Sequence, residues 1–444
     1  MFARGRKKVL LAMATGSGKT ATFSAMLKSL HEKGKPGMVI VRGRKLVDQA
    51  HMRLVRESVP HGVMMAGHRA WAPNLPIQVC SVDTLRARGI FPRAELIVVD
   101  EAHMATSDSF KNILSMYPNA FIVAVTATPF GKKSLRHIAD DIVSPITVRE
   151  LIADGFLVDG KYYAPSAPDL SGVKVSKMTG DYDVEGLEDV MGGSAIVGDV
   201  VTEWRKLGEG RPTLCFCVSV QHSLAVCAAF NQAGIRAEHV DAEVSDGERD
   251  AMIARLESGA VKVITSIGTM TTGVDIPVLG CLILARPTQS YNLHIQCLGR
   301  GTRPAPGKEN FLVLDHSGNL MKHGVLTDVD KMEPSLDGKP KMAGLRTRTC
   351  QACFAVYETR PGACPMCGFI QTKDASAREL TVVDGTLEEF KADPARKRFE
   401  ELKRIKKLKG HLRGWMWHRM REEFGEDVAN KYVPKRVIPD WVKR

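Results

Sequence analysis

The 444-residue sequence predicts an α/β protein with two α/β units in tandem, followed by a four-cysteine module and a basic helical tail. Three observations support this class. Strand-length apolar runs alternate with helix-length amphipathic stretches in two separate parts of the chain, which is typical of parallel sheets covered by helices. Hydrophobic residues make up 44% of the chain, which is enough for sizeable cores and excludes a disordered or collagen-like protein. Four cysteines lie within eighteen residues of one another.

Residues 1–150 form the first predicted unit. Runs rich in β-branched residues predict strands over Val9–Ala14, Met38–Val41, Gln78–Val82, Leu96–Asp100 and Phe121–Thr126. Helical periodicity predicts helices over Thr20–Leu30 and Lys45–Glu57.

The same alternation returns in residues 196–330, the second predicted unit. Strands are predicted over Thr213–Val218, Ala237–Val240, Val261–Ile267, Cys281–Ala285 and Phe311–Asp315, and helices over 221–234, 246–257 and 290–299. Residues 151–195 are less regular and carry several Pro and Gly residues, so we expect them to connect the two units.

A phosphate-binding loop is predicted where the first strand ends. The run Thr15-Gly16-Ser17-Gly18-Lys19-Thr20 follows a strand and opens a helix, and its glycines let backbone amides surround phosphate oxygens. Lys19 is expected to reach the β- and γ-phosphates, and the Thr20 hydroxyl to hold Mg²⁺. The general eight-residue pattern begins with glycine where this sequence has Met13, so a plain strand–turn–helix connection is the alternative.

Two adjacent acidic residues end another predicted strand about eighty residues later. Asp100 is expected to hold Mg²⁺, and Glu101 to orient and deprotonate the attacking water. An exposed acidic turn is the simpler interpretation of such a pair alone. Its position after a phosphate-binding loop, in the same α/β unit, favours the catalytic interpretation.

With these two sites in view, the sequence resembles the superfamily 2 helicases and translocases over roughly residues 5–320. Five motifs carry the resemblance in order: motif I at Ala14–Thr20, the DEAH box at Asp100–His103, motif III at Thr126–Thr128, motif V at Thr271–Pro277 and motif VI at Gln296–Arg303. The resemblance implies two tandem RecA-like P-loop NTPase domains that bind ATP and Mg²⁺. Motif I of this superfamily often lacks the leading glycine, which accounts for Met13.

The resemblance also implies roles for residues of the second unit. Arg300 and Arg303 lie three residues apart on one helical face and are expected to act as arginine fingers toward the γ-phosphate. Gln296 is expected in the same region. Gly273 and Asp275 of motif V are expected at the interface of the two lobes, where they couple nucleotide to nucleic acid. Two surface arginines on a helix are the alternative for motif VI.

The resemblance favours DNA as the polymer. Val41–Lys45 resembles motif Ia and Ser81–Thr84 resembles motif Ib, so contacts with phosphate oxygens, without sequence specificity, are expected. Motif V and the stretch Leu314–Asn319 resemble bacterial and phage DNA-repair-type helicases. The family's adenine-reading glutamine lies upstream of motif I, and residues 1–13 contain no glutamine, which leaves the preference for ATP over other nucleotides open.

The predicted function is therefore an ATP-dependent DNA helicase or translocase. Three alternatives stay open: an RNA helicase with the same core, the motor subunit of a restriction or defence assembly, and a nucleic-acid-binding protein that no longer hydrolyses ATP. The polymer that stimulates ATP hydrolysis distinguishes the RNA helicase from the DNA enzyme.

The clustered cysteines predict a structural zinc site in residues 345–372. Two pairs with CxxC spacing supply four thiolates, which suit a closed tetrahedral zinc ribbon: Cys350, Cys353, Cys364 and Cys367. A redox dithiol is the alternative for a single pair. The six other cysteines are scattered in apolar segments and are expected to be buried free thiols.

The predicted tail, residues 375–444, is basic and mainly helical. Of the net charge of +12, most arises from residues 395–444, which contain 16 Lys and Arg against 7 Asp and Glu. The run Gly414–Arg419 interleaves tryptophans with cations, which suits stacking on bases. Packing of a small helical domain is the alternative for these tryptophans. The zinc ribbon and the tail are also candidate surfaces for protein partners.

The sequence predicts a cytoplasmic protein without membrane contact. No apolar run approaches the ~18–20 residues needed to span a bilayer. Basic residues precede the apolar run Val9–Ala14, as in a secretory signal, but that run passes into the phosphate-binding loop rather than a cleavage site.

Overall fold

The computed structural model describes most of the first 370 residues and part of the C-terminal tail. The described residues are 5–105, 107–129, 134–164, 168–177, 179–192, 194–268, 270, 276–332, 334–337, 347–350, 352–358, 363–370, 399, 402, 413–426 and 429. The chain separates into two compact units, Met1–Thr372 and Lys373–Arg444.

The first lobe is a parallel seven-stranded sheet with helices on both faces. Its strands are β1 (Lys8–Ala12), β2 (Gly37–Val41), β3 (Gly62–Met64), β4 (Ile77–Ser81), β5 (Leu96–Val99), β6 (Phe121–Thr126) and β7 (Asp141–Val143), in the order β3-β4-β2-β5-β6-β1-β7. Its helices are α1 (Lys19–Glu32), α2 (Arg44–Arg56), α3 (Val82–Arg88) and α4 (Asp108–Ser115). A 3₁₀ helix covers Ala102–Met104.

Alternate residues of the central strand β2 enter two different apolar cores. Met38 and Ile40 pack in the core on one face of the sheet, and Val39 and Val41 in the core on the other. Because a strand that is buried on both faces has no polar side, it needs a continuous apolar run, and β2 is such a run.

Two helices and a strand lie between the two predicted units. They are α5 (Val148–Ala153), β8 (Asp159–Tyr163) and α6 (Val184–Met191). Thr147 caps α5 in a capping box with Glu150. The sequence predicted residues 151–195 as an irregular connection, but β8 pairs with a strand of the second sheet. Its sequence, Asp-Gly-Lys-Tyr-Tyr, contains no apolar run that would mark a strand.

The second lobe is a parallel six-stranded sheet in the order β10-β11-β9-β12-β13-β8. Its further strands are β9 (Thr213–Phe216), β10 (Ala237–Val240), β11 (Val263–Ser266), β12 (Cys281–Leu284) and β13 (Asn310–Asp315). Its helices are α7 (Ser194–Leu207), α8 (Val220–Gln232), α9 (Asp246–Glu257), α10 (Tyr291–Leu298) and α11 (Asn319–His323), followed by a 3₁₀ helix at Leu326–Lys331.

After the second lobe the chain returns to the first. Leu336 is buried in the apolar core of the first lobe, and its carbonyl accepts a 2.7 Å hydrogen bond from the N–H of Leu135. Arg136 and Asp337 form a bidentate ion pair, in which Nε and Nη2 of the arginine each donate a 2.6 Å hydrogen bond to one carboxylate oxygen. The two lobes are therefore joined by this return segment, residues 334–337, as well as by the connection that precedes β8.

The four-cysteine module contains an antiparallel pair, β14 (Thr347–Thr349) and β15 (Val356–Glu358), and packs against the second lobe. The N–H of Ala164 donates a 3.1 Å hydrogen bond to the carbonyl of Phe354, directly after β8. Tyr163 packs against the core that Cys350 and Cys364 belong to.

The tail contributes one described helix, α12 (Arg413–Phe424), in which Met416, Trp417 and Met420 are buried. Burial of Trp417 favours the packing alternative for this residue. Most of the predicted basic helical tail before residue 413 lies outside the described residues. Within the part of the chain that the structure describes, no helix is long and apolar enough to cross a membrane.

All six scattered cysteines are free thiols. Cys227 is half-buried and the other five are buried: Cys80, Cys215, Cys217, Cys281 and Cys297. The predicted state of these residues is thus confirmed for five and holds in part for Cys227.

Candidate active site

The predicted phosphate-binding loop, residues 15–20, connects β1 to α1. Gly16 and Gly18 have φ angles of +89° and +84°, a left-handed conformation that glycine adopts at little cost. Gly18 is the N-cap of α1 and provides no side-chain hydrogen bond, so the first amides of the helix face no competing side-chain acceptor. Thr20 lies in the first turn, and Lys19 Nζ is 3.5 Å from the carbonyl oxygen of Ala14. This arrangement is suited to an anionic ligand.

Charged groups from both lobes act on Lys19. Burial lowers its pKa, Glu101 and Asp100 oppose that effect, and Arg303 and Arg300 lower the pKa further. The two acids belong to the first lobe and the two arginines to the second. Predicted site residues from motifs I, II and VI therefore lie around one cleft. They are Lys19, Asp100, Glu101, Arg300 and Arg303, together with Gln296, which contacts His103 of motif II.

The two acidic residues follow β5 at the same edge of the sheet. Burial and the neighbouring Glu101 raise the pKa of Asp100 to about 6, although Lys19 opposes the shift. The N–H of Glu101 donates a 2.8 Å hydrogen bond to Oδ1 of Asp100. Glu101 has a φ of +47°, which is uncommon for a residue with a side chain. Backbone strain of this kind clusters at functional sites.

His103 joins the acidic pair to the second lobe. Its Nδ1 lies 3.1 Å from Oγ1 of Thr126 and 3.3 Å from Oε2 of Glu101. Its Nε2 lies 3.4 Å from Nε2 of Gln296 on α10. Burial lowers the pKa of His103, with Glu101 opposing, so we assign a neutral ring that accepts from the Gln296 amide. This contact links motif II directly to motif VI.

The second lobe approaches the phosphate-binding loop so closely that a Cβ atom added at either of two glycines would press against a side chain of the other lobe. A Cβ atom at Gly16 would lie 2.7 Å from Nη1 of Arg303, and a Cβ at Gly299 would lie 2.5 Å from Cγ2 of Thr15. The predicted arginine finger Arg303 is therefore at the loop itself. Gly273 and Asp275 of motif V lie outside the described residues.

Two residues of the cleft were not predicted as part of the site. The side chain of Leu157 contacts Gly16, since a Cβ there would lie 2.6 Å from Cδ2 of Leu157. The N–H of Val158 donates a 2.9 Å hydrogen bond to the carbonyl of Thr302 in motif VI. No sequence pattern marks these residues, because their contacts depend on how the lobes close.

Lys45 belongs to the predicted motif Ia, and in the structure Arg249 and Arg300 of the second lobe act on its charge. Burial lowers the pKa of Lys45 to about 8, and Arg249 and Arg300 lower it as well. Its Nζ is buried and has no hydrogen-bond partner among the described residues. Lys45 therefore adds to the positive charge around Arg300.

The four clustered cysteines form a candidate metal centre. Their Sγ atoms all lie within 4.8 Å of one another, with 3.6 Å between Cys350 and Cys367 and 3.7 Å between Cys353 and Cys364. A tetrahedron of thiolates with Zn–S bonds of about 2.3 Å has S···S edges of about 3.8 Å. The donor set and its spacing thus fit a four-coordinate zinc ion.

Two families match this chain. Residues 1–131 match the type III restriction enzyme res subunit family, and residues 196–305 match the helicase conserved C-terminal domain. A 51.5 kDa protein of Lactococcus phage (isolate 7-9) is 27% identical over 360 residues, which cover 80% of this chain and 76% of the phage protein. A Schizosaccharomyces pombe protein named as a mitochondrial ATP-dependent helicase, irc3, is 29% identical over 74% of this chain. The chain spans 56% of the length of the yeast protein.

Solved structures share the fold. A fragment assigned as the HsdR subunit of a type I restriction enzyme from Vibrio vulnificus YJ016 superposes with a TM-score of 0.57 at 21% identity, over 76% of this chain and 64% of the fragment. The ATP-dependent type ISP restriction-modification enzyme LlaBIII, bound to DNA, superposes with a TM-score of 0.54 at 16% identity, over 70% of this chain and 26% of that enzyme.

Proposed function

We propose that this chain, a member of helicase superfamily 2, couples ATP hydrolysis to movement along DNA or to its remodelling. The matched domains and the helicase relatives support a nucleic-acid-dependent ATPase of the helicase type. We further propose that the chain translocates along DNA, that it is of the DEAH-box subtype, and that each site residue has the role given below.

One observation carries the proposal: the candidate active site is divided between two lobes. Lys19, Asp100 and Glu101 belong to the first lobe, whereas Arg303 reaches the loop at Gly16 from the second. A nucleotide held at such a site contacts both lobes, so its binding and hydrolysis change the energy of lobe closure. Two RecA-like lobes that open and close in this way can grip a strand alternately.

The residues at the cleft fit the needs of phosphoryl transfer. Lys19 and the first amides of α1 would hold the β- and γ-phosphates, and Thr20 and Asp100 would hold Mg²⁺. ATP with Mg²⁺ supplies the phosphoryl group and neutralises part of its charge. Glu101 would accept a proton from the attacking water. Arg303 and Arg300 would stabilise charge on the transferred phosphoryl group.

The contact between Gln296 and His103 would couple closure of the two lobes to the position of the acidic pair, Asp100 and Glu101. The Gln296–His103 contact exists only when the lobes are close, and His103 lies 3.3 Å from Oε2 of Glu101. The position of the base is thereby tied to the position of the second lobe. Gly273 and Asp275 are proposed to couple this state to bound nucleic acid.

DNA is the favoured polymer because the fold is shared with restriction enzymes, one of them bound to DNA. The same similarity favours a second candidate function, a DNA-translocating motor that works within a restriction or defence assembly. A motor of that kind needs partner subunits for full activity, whereas an independent translocase is stimulated by DNA alone. An RNA helicase with the same core is the remaining candidate.

For the domain organisation we propose lobes at residues 1–150 and 196–330, the connection at 151–195, a zinc ribbon at 345–372 and a basic tail at 375–444. The zinc ion would be structural, since four protein thiolates leave no open coordination position. The contact of Phe354 with Ala164 supports a ribbon that is attached to the second lobe and moves with it.

Steady-state ATP hydrolysis with no polymer, single-stranded DNA, forked duplex DNA and RNA tests the proposal. Glu101→Gln serves as the blank because it keeps the size of the side chain and removes the base. We expect stimulation by DNA and not by RNA, and its loss in the blank. Stimulation by RNA alone would overturn the DNA assignment, and a basal rate equal to the blank with every polymer would overturn the independent motor.

A further inference from the structure

A lysine that follows motif VI connects the end of that motif to the end of motif V. Nζ of Lys308 donates a 2.8 Å hydrogen bond to the carbonyl oxygen of Arg303 and a 3.0 Å hydrogen bond to the carbonyl oxygen of Pro277. Arg303 is the last residue of motif VI, and Pro277 is the last residue of motif V. One half-buried ammonium group therefore joins the two motifs.

The local sequence explains how this side chain returns to motif VI. Residues 305–308 form a turn in which the N–H of Lys308 donates a 3.0 Å hydrogen bond to the carbonyl of Ala305. Pro306 followed by Gly307, whose φ is +75°, is the pattern of a type II turn. The turn reverses the chain and brings the ammonium group of Lys308 back to Arg303, five residues earlier.

The same turn borders a cavity of about 300 Å³, which is also lined by Arg211, Val278 and Asn310. A segment that borders a cavity lacks part of the close packing that restrains a core segment. Hydrogen bonds therefore account for more of the rigidity of this turn, and the two from Lys308 hold the carbonyl end of motif VI.

The position of Arg303 matters because its side chain crosses to the first lobe. A Cβ atom at Gly16 would lie 2.7 Å from Nη1 of Arg303, and the charge of Arg303 contributes to the lowered pKa of Lys19. A cation that stabilises the transferred phosphoryl group is effective only when it is held where that charge develops. The backbone from which Arg303 extends is the part that Lys308 holds.

We propose that Lys308 is the positioning residue for the arginine finger Arg303, an inference that rests on the proposed function. It acts through the backbone carbonyl of Arg303 and ties that carbonyl to the end of motif V. Its effect should appear in the transition state, where Arg303 acts. Binding of ADP should depend on it little, because the phosphate-binding loop of the first lobe holds the phosphates that ADP retains.

Calorimetric titration of the full chain with Mg²⁺ and ADP, with or without aluminium fluoride as a mimic of the transferred phosphoryl group, tests this role. Lys308→Met keeps the length of the side chain and removes its donors. We expect it to weaken binding of ADP with aluminium fluoride by about ten- to a hundredfold and to keep the affinity for ADP alone, since a small displacement of a catalytic group costs that much.

Lys206→Met is the matched control. Nζ of Lys206 donates a 2.9 Å hydrogen bond to Glu203 on α7 of the second lobe, so its loss should leave both affinities unchanged. The same titrations in an Arg303→Ala background separate positioning from a structural role. If Lys308 acts through Arg303, Lys308→Met should cause no further loss of affinity for the aluminium fluoride complex once Arg303 is gone.

An equal loss in both backgrounds would overturn the inference, and so would a loss of affinity for ADP alone, because the lysine would then support the fold rather than the finger. Unchanged affinity of Lys308→Met for the aluminium fluoride complex would overturn it too, while the nucleotide site stands. If the wild-type protein binds neither ADP nor that complex, the proposed function fails together with the role of Lys308.

Discussion

The folded protein disfavours the ionised form of Asp100, which is the form that the proposed chemistry uses. Burial and Glu101 raise its pKa to about 6, whereas the unfolded value is about 3.9. Between these values the native state binds more protons than the unfolded chain, so the stability contributed by this group is lost as pH rises from about 4 to 6. A divalent cation at the site would restore the balance in favour of the carboxylate.

Asp100→Asn should therefore stabilise the nucleotide-free protein at neutral pH. We expect a higher unfolding free energy than wild type at pH 7, by about 1–3 kcal/mol, with the difference closing near pH 4. Thermal unfolding across this pH range measures it. The exposed substitution Asp154→Asn is the control and should show no such trend. A difference that stays constant with pH would attribute the effect to packing rather than to charge.

The contact between His103 and Gln296 predicts that the two side chains act as one unit. We expect His103→Ala and Gln296→Ala each to lower kcat for polymer-stimulated ATP hydrolysis by about tenfold, and the double variant to lower it no further, since non-additivity is the signature of direct coupling. Steady-state kinetics with saturating polymer measures the cycle. Multiplication of the two losses in the double variant would show that the 3.4 Å contact carries no coupling.

Among the elements, the four-cysteine module is the part whose folding should depend on metal. Its described strands, β14 and β15, have three residues each, which is too little structure to fold by apolar burial alone. We expect one zinc ion per chain by elemental analysis, and loss of that zinc in Cys364→Ser. Cys227→Ser should keep it, because Cys227 is a free thiol of the second lobe. Full zinc content in Cys364→Ser would contradict the proposed ligand set.

The elements also show which parts of the fold are readable from sequence. β2, β4 and β5 are buried on every residue, so their apolar runs identified them within one or two residues. The three-residue strands β3 and β7 were too short to show a pattern, and β8, at a sheet edge, has one buried residue and no apolar run. The phosphate-binding loop pattern predicted Lys19, the acidic pair after a strand predicted Asp100, and the resemblance to superfamily 2 predicted Arg303, and the structure brings the three charges close together. Leu157 and the charge environment of Lys45 arise from contacts between lobes, which no local pattern encodes.

At the scale of the whole molecule, two attachments between the lobes, both seen in the described residues, limit how far the lobes can separate. One precedes β8, where Asp330 of the second lobe accepts hydrogen bonds from the N–H groups of Val148 and Arg149 at 2.8 Å and 3.0 Å. The other is the return segment, whose Leu336 is 6% exposed in the first-lobe core. The ion pair between Arg136 and Asp337 is exposed and should add little to this attachment.

Release of the return segment should widen the cleft. A buried leucine that becomes an aspartate places an unpaired charge in an apolar core, so Leu336→Asp should detach the segment rather than remain docked. We expect lower energy transfer between dyes at Glu32 and Glu257, placed through unnatural amino acids, in the absence of nucleotide. The loosened lobes should also raise the ATP concentration needed for half-maximal hydrolysis, because closure costs more when one of two attachments is gone. Leu75→Asp is the matched control, since Leu75 is already 38% exposed in the first lobe. If Leu336→Asp keeps the wild-type transfer distribution while it remains folded, the connection before β8 alone sets the distance between the lobes.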